Sequence, residues 1–330
     1  MGGAGTIRYL TRGRFLCRVL ILLSALAGTG AQAEPLRVLS QNLNRFFDDV
    51  DDGYNEKVLS HRRFRQRVKT AAERFGQEFG LPHIIALQEV ENRNVLAQIA
   101  AEIRDRYNAR YRLLLIPGQD FSGINLAYLV RYGVEIRRLD QLFRDQTFGN
   151  DANPLFTRPP LLLEACYIGN CLSLLNLHLR SMRGIDSREA GEPVRRKRLA
   201  QAESIASWSN QQQQSDPELS LLILGDLNAL TPSDRHVDVA GIIRGQPDNK
   251  KAKLRGRDLV QPNLIDLTLL IPPARRYSYI YRQQKQQLDY MLVNQTFAAD
   301  VEFIAFNPIE PRFSDHAGLL AWFKWRSGSL

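Results

Sequence analysis

Residues 219–226 read LSLLILGD, and this run restricts the possible folds more than any other. Leu221, Leu222, Ile223 and Leu224 put apolar side chains on both faces of a strand, so both faces need cover. Similar runs recur along the chain: LRVLSQNL (36–43), HIIALQEV (83–90), YRLLLIP (111–117), INLAYLV (124–130), VEIRRLDQLF (134–143), LLLEA (161–165), LSLLNLHL (172–179), YSYIY (277–281), LDYMLV (288–293), VEFIAF (301–306) and GLLAWF (318–323). Three stretches carry helical spacing instead. They are 56–79 (Phe64, Val68, Ala71, Ala72, Phe75, Phe79), 93–107 (Val95, Leu96, Ile99, Ile103, Tyr107) and 193–208, where Pro193 suits a first turn and Leu199, Ala202, Ile205 and Ala206 form the stripe. Many strands and few helices predict two sheets packed face to face with helices outside. No Pro/Ser-rich linker or repeat divides the 330 residues, so one domain is expected.

The strand-like runs end in polar groups. Asn42 and Asn44, Gln88 and Glu89, Asn176 and His178, and Asp226 and Asn228 close four of them. Asp289 opens a fifth, and Ser314, Asp315 and His316 precede the last. Each alone reads as a turn or cap residue. Together they make a set of carboxylates, amide oxygens and histidines. The oxygens suit a hard cation such as Mg2+ or Mn2+, and histidines held by acids suit proton transfer and phosphate contact.

Residues 1–33 have a different character. Arg8, Arg12, Arg14 and Arg18 precede the short apolar core VLILLSALAG (19–28) and the small-residue site AQA (31–33). That is the layout of a secretory signal, too short to remain as a membrane anchor. An exported chain of 34–330, periplasmic or secreted and monomeric, is expected. Removing four arginines from 44 basic residues leaves 40 against 35 acidic, a net charge of +5. That excess permits a polyanionic partner without requiring one. Cys166 and Cys171 flank the turn-like YIGN, and export favours a disulfide between them.

SQNLNRFFDD (40–49), LQEVEN (87–92), NLHLRS (176–181), GDLNA (225–229), LDYMLVN (288–294) and SDH (314–316), in this order, resemble the endonuclease/exonuclease/phosphatase superfamily. That superfamily includes pancreatic-type deoxyribonucleases, abasic-site endonucleases, inositol-polyphosphate 5-phosphatases and bacterial sphingomyelinases. RFFDD, LQEVEN and RLAQAESIASW look most like its predicted extracellular nuclease branch in bacteria. The resemblance implies an α/β fold, a four-layer α-β-β-α sandwich of two mainly antiparallel sheets with helices outside. It implies divalent-metal-dependent, in-line hydrolysis of a phosphodiester. Asn42 and Glu89 would hold the metal, with Asp315 a second metal-side carboxylate. His178 would contact the scissile phosphate, Asp226 would orient or deprotonate the water, Asn228 would hold a phosphate oxygen, and Asp289 would fix His316. Asn176, Arg180, Arg183 and Tyr128 are the candidate substrate contacts. Asn125 stands where bacterial relatives often carry Asp, which leaves the partner of His178 open.

Other features have two readings. DDVDDG (48–53) fails the EF-hand pattern at Val50 and reads as a solvated acidic loop. VRRKR (194–198) reads as an exposed helix face, with nucleic-acid contact the alternative that its charge offers. KKAKLRGR (250–257) could track phosphates or be a surface loop, and ARRYSYIYR (274–282) could stack on bases or form a strand. No apolar membrane-inserting hairpin stands out. The leading expectation is therefore a nuclease acting on nucleic acid. The alternatives are a lipid or small-molecule phosphohydrolase on the same core, and an inactive nucleic-acid-binding protein.

Overall fold

A computed structural model describes residues 34–53, 56–149, 153–189, 191–230 and 233–325. The export signal expected at 1–33 lies outside the described residues. The elements run β1 (Leu36–Phe46), α1 (His61–Glu73), β2 (Ile84–Val90), α2 (Arg93–Tyr107), β3 (Tyr111–Leu115), β4 (Asn125–Arg131), β5 (Glu135–Gln141), β6 (Leu161–Tyr167) and β7 (Asn170–His178). They continue with α3 (Gly191–Ser215), β8 (Leu221–Asp226), α4 (Val239–Arg244), β9 (Ile265–Asp266), β10 (Tyr279–Tyr281), β11 (Gln284–Gln286), β12 (Asp289–Val293), α5 (Gln295–Ala298), β13 (Val301–Phe306) and β14 (Leu319–Phe323).

Two six-stranded sheets result, ordered β13-β14-β1-β2-β4-β3 and β5-β6-β7-β8-β12-β9, with β10-β11 a separate hairpin. Among the strands of the described residues, only β1–β2 and β7–β8 pair in parallel, one pair near the middle of each sheet. The continuous apolar runs are explained by alternation. In β8, Leu222 and Leu224 join the core between the sheets, while Leu221 and Ile223 join a second core with Ala202, Ile205 and Ile242 from α3 and α4. In β2, Ile84 and Ala86 face the other sheet, whereas Ile85 and Leu87 pack on Val68, Ala71 and Ile99 of α1 and α2. Three apolar layers between four structural layers confirm the expected α-β-β-α sandwich.

Element ends differ in detail from the sequence reading. The helix expected from 56 starts at His61, because Ser60 Oγ accepts from Arg63 N and caps it. It then widens into a π turn at Arg74–Glu78, where Gly76 lies flat on the Tyr107 ring and a Cβ would come 2.2 Å from Cε2. VRRKR is not an exposed face. Arg198 is buried and spans three segments, donating to Arg180 O (2.6 Å) and Asn228 O (2.8 Å) and reaching Asp234 (3.3 Å). Nor is DDVDDG uniformly solvated, since Asp48 is buried and accepts from Val50 N, Asn92 Nδ2 and Asn94 Nδ2. The expected Cys166–Cys171 disulfide is present and closes the β6–β7 hairpin, whose turn residues Ile168 and Gly169 both have positive φ.

Candidate active site

Parallel neighbours end at the same edge of their sheet. The C-terminal ends of β1 and β2 therefore deliver Asn42 and Glu89 to one edge, and those of β7 and β8 deliver His178 and Asp226 to the facing edge. Antiparallel partners add their N-terminal ends at the same place. Asp289 opens β12 directly opposite Asp226, and His316 precedes β14, the partner of β1. The result is a cleft of about 850 Å³ whose lining includes Asn44, Glu89, His178, Arg183, Asp226, Asn228, Tyr279, Asp315 and His316.

Backbone irregularity aims the acids. Glu89 has φ 61° and sits where the β2–β4 register slips between Leu87 and Val90, a bulge that turns its carboxylate to the mouth. Glu89 Oε2 accepts from Arg45 N at 2.7 Å, and Asn44 and Arg45 also carry positive φ. Arg67 of α1 holds this unusual segment by donating to the carbonyls of Leu43, Asn44 and Arg45, its guanidinium stacked over Phe46. Burial lowers its pKa to about 10, and Glu89 works against that shift. Gly225, at φ +126°, precedes Asp226. A Cβ there would lie 2.1 Å from Leu177 O, so glycine is required for β8 to lie against β7 at this point.

Glu89 and Asp226 face each other across the cleft. Asn42 Nδ2 bridges them, 3.2 Å from Glu89 Oε1 and 3.1 Å from Asp226 Oδ2, and His178 Nε2 lies 3.7 and 3.6 Å from the same oxygens. Asn42 Oδ1 accepts from Asn44 N. Asp226 Oδ1 accepts from Asn228 N, while Asn228 Nδ2 donates to Leu179 O. Burial first, then the charge of Asp289, raises the pKa of Asp226 to about 7. Burial opposes charge on His316, yet Asp289 at 2.8 Å from Nδ1, then Asp226 and Asp315, outweigh it and hold the imidazole up at about 10. Ser314 Oγ donates to Asn42 O and accepts from His316 N, and the Tyr279 ring packs on the imidazole at 5.0 Å. Burial, then Arg158 and His316, push His178 far down, so it is neutral. Its Nδ1 has no hydrogen-bond partner among the described residues.

Asp226, Asp289 and His316 bring three ligand atoms within 4.8 Å of one another, a group that could hold a cation. Its charge is already partly offset, because the His316 imidazolium lies between the two carboxylates. Glu89 and Asp226 are different. Among the described residues, only an amide N–H and a neutral imidazole bridge Glu89 Oε1 and Asp226 Oδ2, although the same Oδ2 also lies 4.0 Å from His316 Nε2, and this pair of oxygens fits a hard divalent ion.

The structure does not bring all the candidates together. Asn176 is fully buried between the sheets, where Nδ2 donates to Leu87 O and Ala127 O and Oδ1 accepts from Gln88 Nε2 at 2.7 Å. Tyr128 is also fully buried, its hydroxyl shared by Leu161 O and Leu174 O at 3.1 Å. Neither lines the cleft, because their strand positions face the opposing sheet. Asn125 is no partner for His178. It donates to Glu91 O and Gly123 O and accepts from Gly118 N. The 250–257 cations do not line the cleft either, and Arg257 instead pairs with Glu203. Arg158 went unnoticed in the sequence, although it donates to His178 O and Leu179 O and pairs with Asp120. Arg67 carries no such signal in the sequence either, whereas Tyr279 lies in ARRYSYIYR, already a candidate for stacking. Arg198 was detectable, since it falls on the helical stripe Val194, Arg198, Ala202, Ile205.

A sandwich of this topology with an acid–amide–histidine mouth defines a phosphoesterase-type fold. The chain belongs to the endonuclease/exonuclease/phosphatase family of metal-dependent phosphoesterases, whose model matches residues 42–309. No curated protein sequence matches it. Similar solved structures include truncated Caenorhabditis elegans TDP2 (19% identity, 89% of this chain and 99% of that one, TM-score 0.56). D. rerio TDP2 complexed with a single-strand DNA product is similar at 16% identity, covering 88% and 99%, TM-score 0.56. An endonuclease/exonuclease/phosphatase from Bacteroides vulgatus matches at 14%, covering 89% and 100%, TM-score 0.56. At these identities the likeness establishes the fold.

Proposed function

We propose that this protein is an exported, divalent-metal-dependent phosphodiesterase that hydrolyses nucleic acid. The observation that carries the reading is the convergence of Glu89, Asp226, His178 and the Asp289–His316 pair on one cleft. A bound Mg2+ or Mn2+ would neutralise charge on the phosphate and the leaving oxygen. Glu89 would hold it, with the Asn42 amide turned to present oxygen. Asp226, its pKa raised by burial and then by the charge of Asp289, is placed to take a proton from the attacking water. Asn228 orients Asp226 through its backbone N–H. The His316 imidazolium, fixed by Asp289, presents Nε2 to a phosphate oxygen. Neutral His178 offers an N–H to the same group without a competing positive charge.

The TDP2 relative bound to a DNA product supports nucleic acid as the substrate class. The N-terminal arginines, apolar core and AQA site support export, and among the described residues no helix is long and apolar enough to cross a membrane. One observation favours a lipid phosphodiester instead. The β10–β11 hairpin at the mouth exposes about half of Ile280 and Tyr281. Its turn, however, is Arg282–Gln283, a polar tip suited to phosphate. The deciding experiment assays purified protein on plasmid DNA, RNA, sphingomyelin and a generic phosphodiester, with Mg2+ and with chelator. Metal-dependent nicking is expected. Turnover of the lipid alone would move the substrate, and DNA binding without any turnover would leave a binding protein.

A further inference from the structure

The cleft continues past Glu89 and His178 into a second chamber of about 690 Å³. Its wall carries Arg45, Arg158, Arg180, Arg183 and Lys197 against two carboxylates, Glu89 and Asp120. Asp120 is engaged by Arg158 at 2.7 Å, and Glu89 faces the main cleft. Positive charge is therefore in excess, and the cations oppose one another. Burial, then Arg158 and Arg183, lower the pKa of Arg180. Burial, then Arg180 and Arg158, lower that of Lys197. Like charges gathered in a concave wall attract an anion.

At the lip, Phe121 is 77% exposed. Its turn is nonetheless firmly bonded. Asp120 accepts from Ser122 N, Ser122 Oγ and Thr157 Oγ1, and Gly118 N donates to Asn125. A rigid turn thus presents an aromatic face that packs little against the protein itself. Only Phe121 and Ile124 are apolar in the lining, too few to accommodate an acyl chain.

We propose that this chamber is a subsite for the nucleotide adjoining the scissile phosphate, its phosphate on the Arg180–Arg183–Lys197 wall and its base stacked on Phe121. The inference rests on the phosphodiesterase reading and deepens it. The preferred substrate is then a polynucleotide, because a small diester supplies neither a second negative charge nor a second π face.

The test compares wild type with Phe121→Ala and Lys197→Gln on a short single-stranded oligonucleotide and on methyl p-nitrophenyl phosphate, whose one ring is the leaving group, with Mg2+. Oligonucleotide binding is followed in parallel by anisotropy, in chelator and across salt. Phe121→Ala should raise KM for the oligonucleotide about fivefold or more, the lower range of base–aromatic stacking, Lys197→Gln should raise it most at low salt, and both should leave the small diester unchanged. Lys197→Gln should also reduce the slope of log K against log salt by about 0.7. Equal effects on both substrates, or none on either, would overturn the subsite while leaving the phosphodiesterase reading intact. Wild type inert on both substrates would instead overturn that reading, and weakened oligonucleotide binding by both variants would still support the subsite.

Discussion

Replacing Asn176 tests whether it is a substrate contact or an internal tie between the sheets. Its side chain makes three buried hydrogen bonds, to Leu87 O (3.0 Å), Ala127 O (3.2 Å) and from Gln88 Nε2 (2.7 Å). All three partners belong to the opposing sheet. Asn176→Leu keeps the volume but removes every bond. Gln88 Nε2 retains only Ser40 Oγ at 3.3 Å, and the two carbonyls lose their side-chain donor. At about 1–3 kcal/mol for a buried group left unpaired, with partial compensation by the strand ladders, the cost should be about 2–4 kcal/mol. Replacing Gln88 by Met as well removes the stranded donor. The double variant should then be about 1–2 kcal/mol more stable than the sum of the single changes predicts. Urea denaturation measures both quantities. A loss of stability below about 0.5 kcal/mol, the range of an ordinary surface change, together with a raised KM, would refute the structural assignment.

Asp226→Asn should lower kcat by about 10²–10⁴-fold while retaining nucleic-acid binding, the signature of a lost proton acceptor; unchanged turnover would remove it from catalysis. Gly225→Ala should cost more than about 3 kcal/mol or prevent folding, because the added Cβ meets Leu177 O at 2.1 Å and strains a positive φ; a normal melting temperature would contradict the close approach. His83 accepts from Arg37 N through Nδ1, and burial first lowers its pKa to about 4. The unfolded chain therefore binds its proton first, so its contribution is complete above pH 6.5 and disappears as pH falls towards 4. The loss should be about 2 kcal/mol after allowing for screening, and His83→Gln should flatten that slope in denaturation measured between those pH values. Reducing Cys166–Cys171, five residues apart, should cost at most about 2 kcal/mol because the closed loop is short; a larger drop in melting temperature under reductant would contradict a merely local staple.

The sequence alone determined the sandwich and most of the mouth, for identifiable reasons. A strand such as β8, apolar at four consecutive positions, has no stable place except between two covering layers. Residues such as Glu89, Asp226 and His316 read singly as turn or cap residues, and only the recurrence of acids, amides and histidines at several strand ends pointed to one chemistry. The disulfide followed from two cysteines across a tight turn. What lay beyond the sequence was direction and long-range meeting. Asn176 and His178 are two residues apart on one strand, yet one ties the sheets together and the other opens on the cleft. That difference depends on where the opposing sheet ends. Arg67, Arg158 and Phe121 come from segments distant in sequence, and their roles exist only once α1, the β6 approach and the β3–β4 turn surround the same cleft. Arg198 could be found by its stripe position, but its partners Arg180, Asn228 and Asp234 could not. Local pattern fixes which side chains must be buried or paired, because that cost is paid residue by residue. Only tertiary packing decides what each of them faces, because the partner lies on another element.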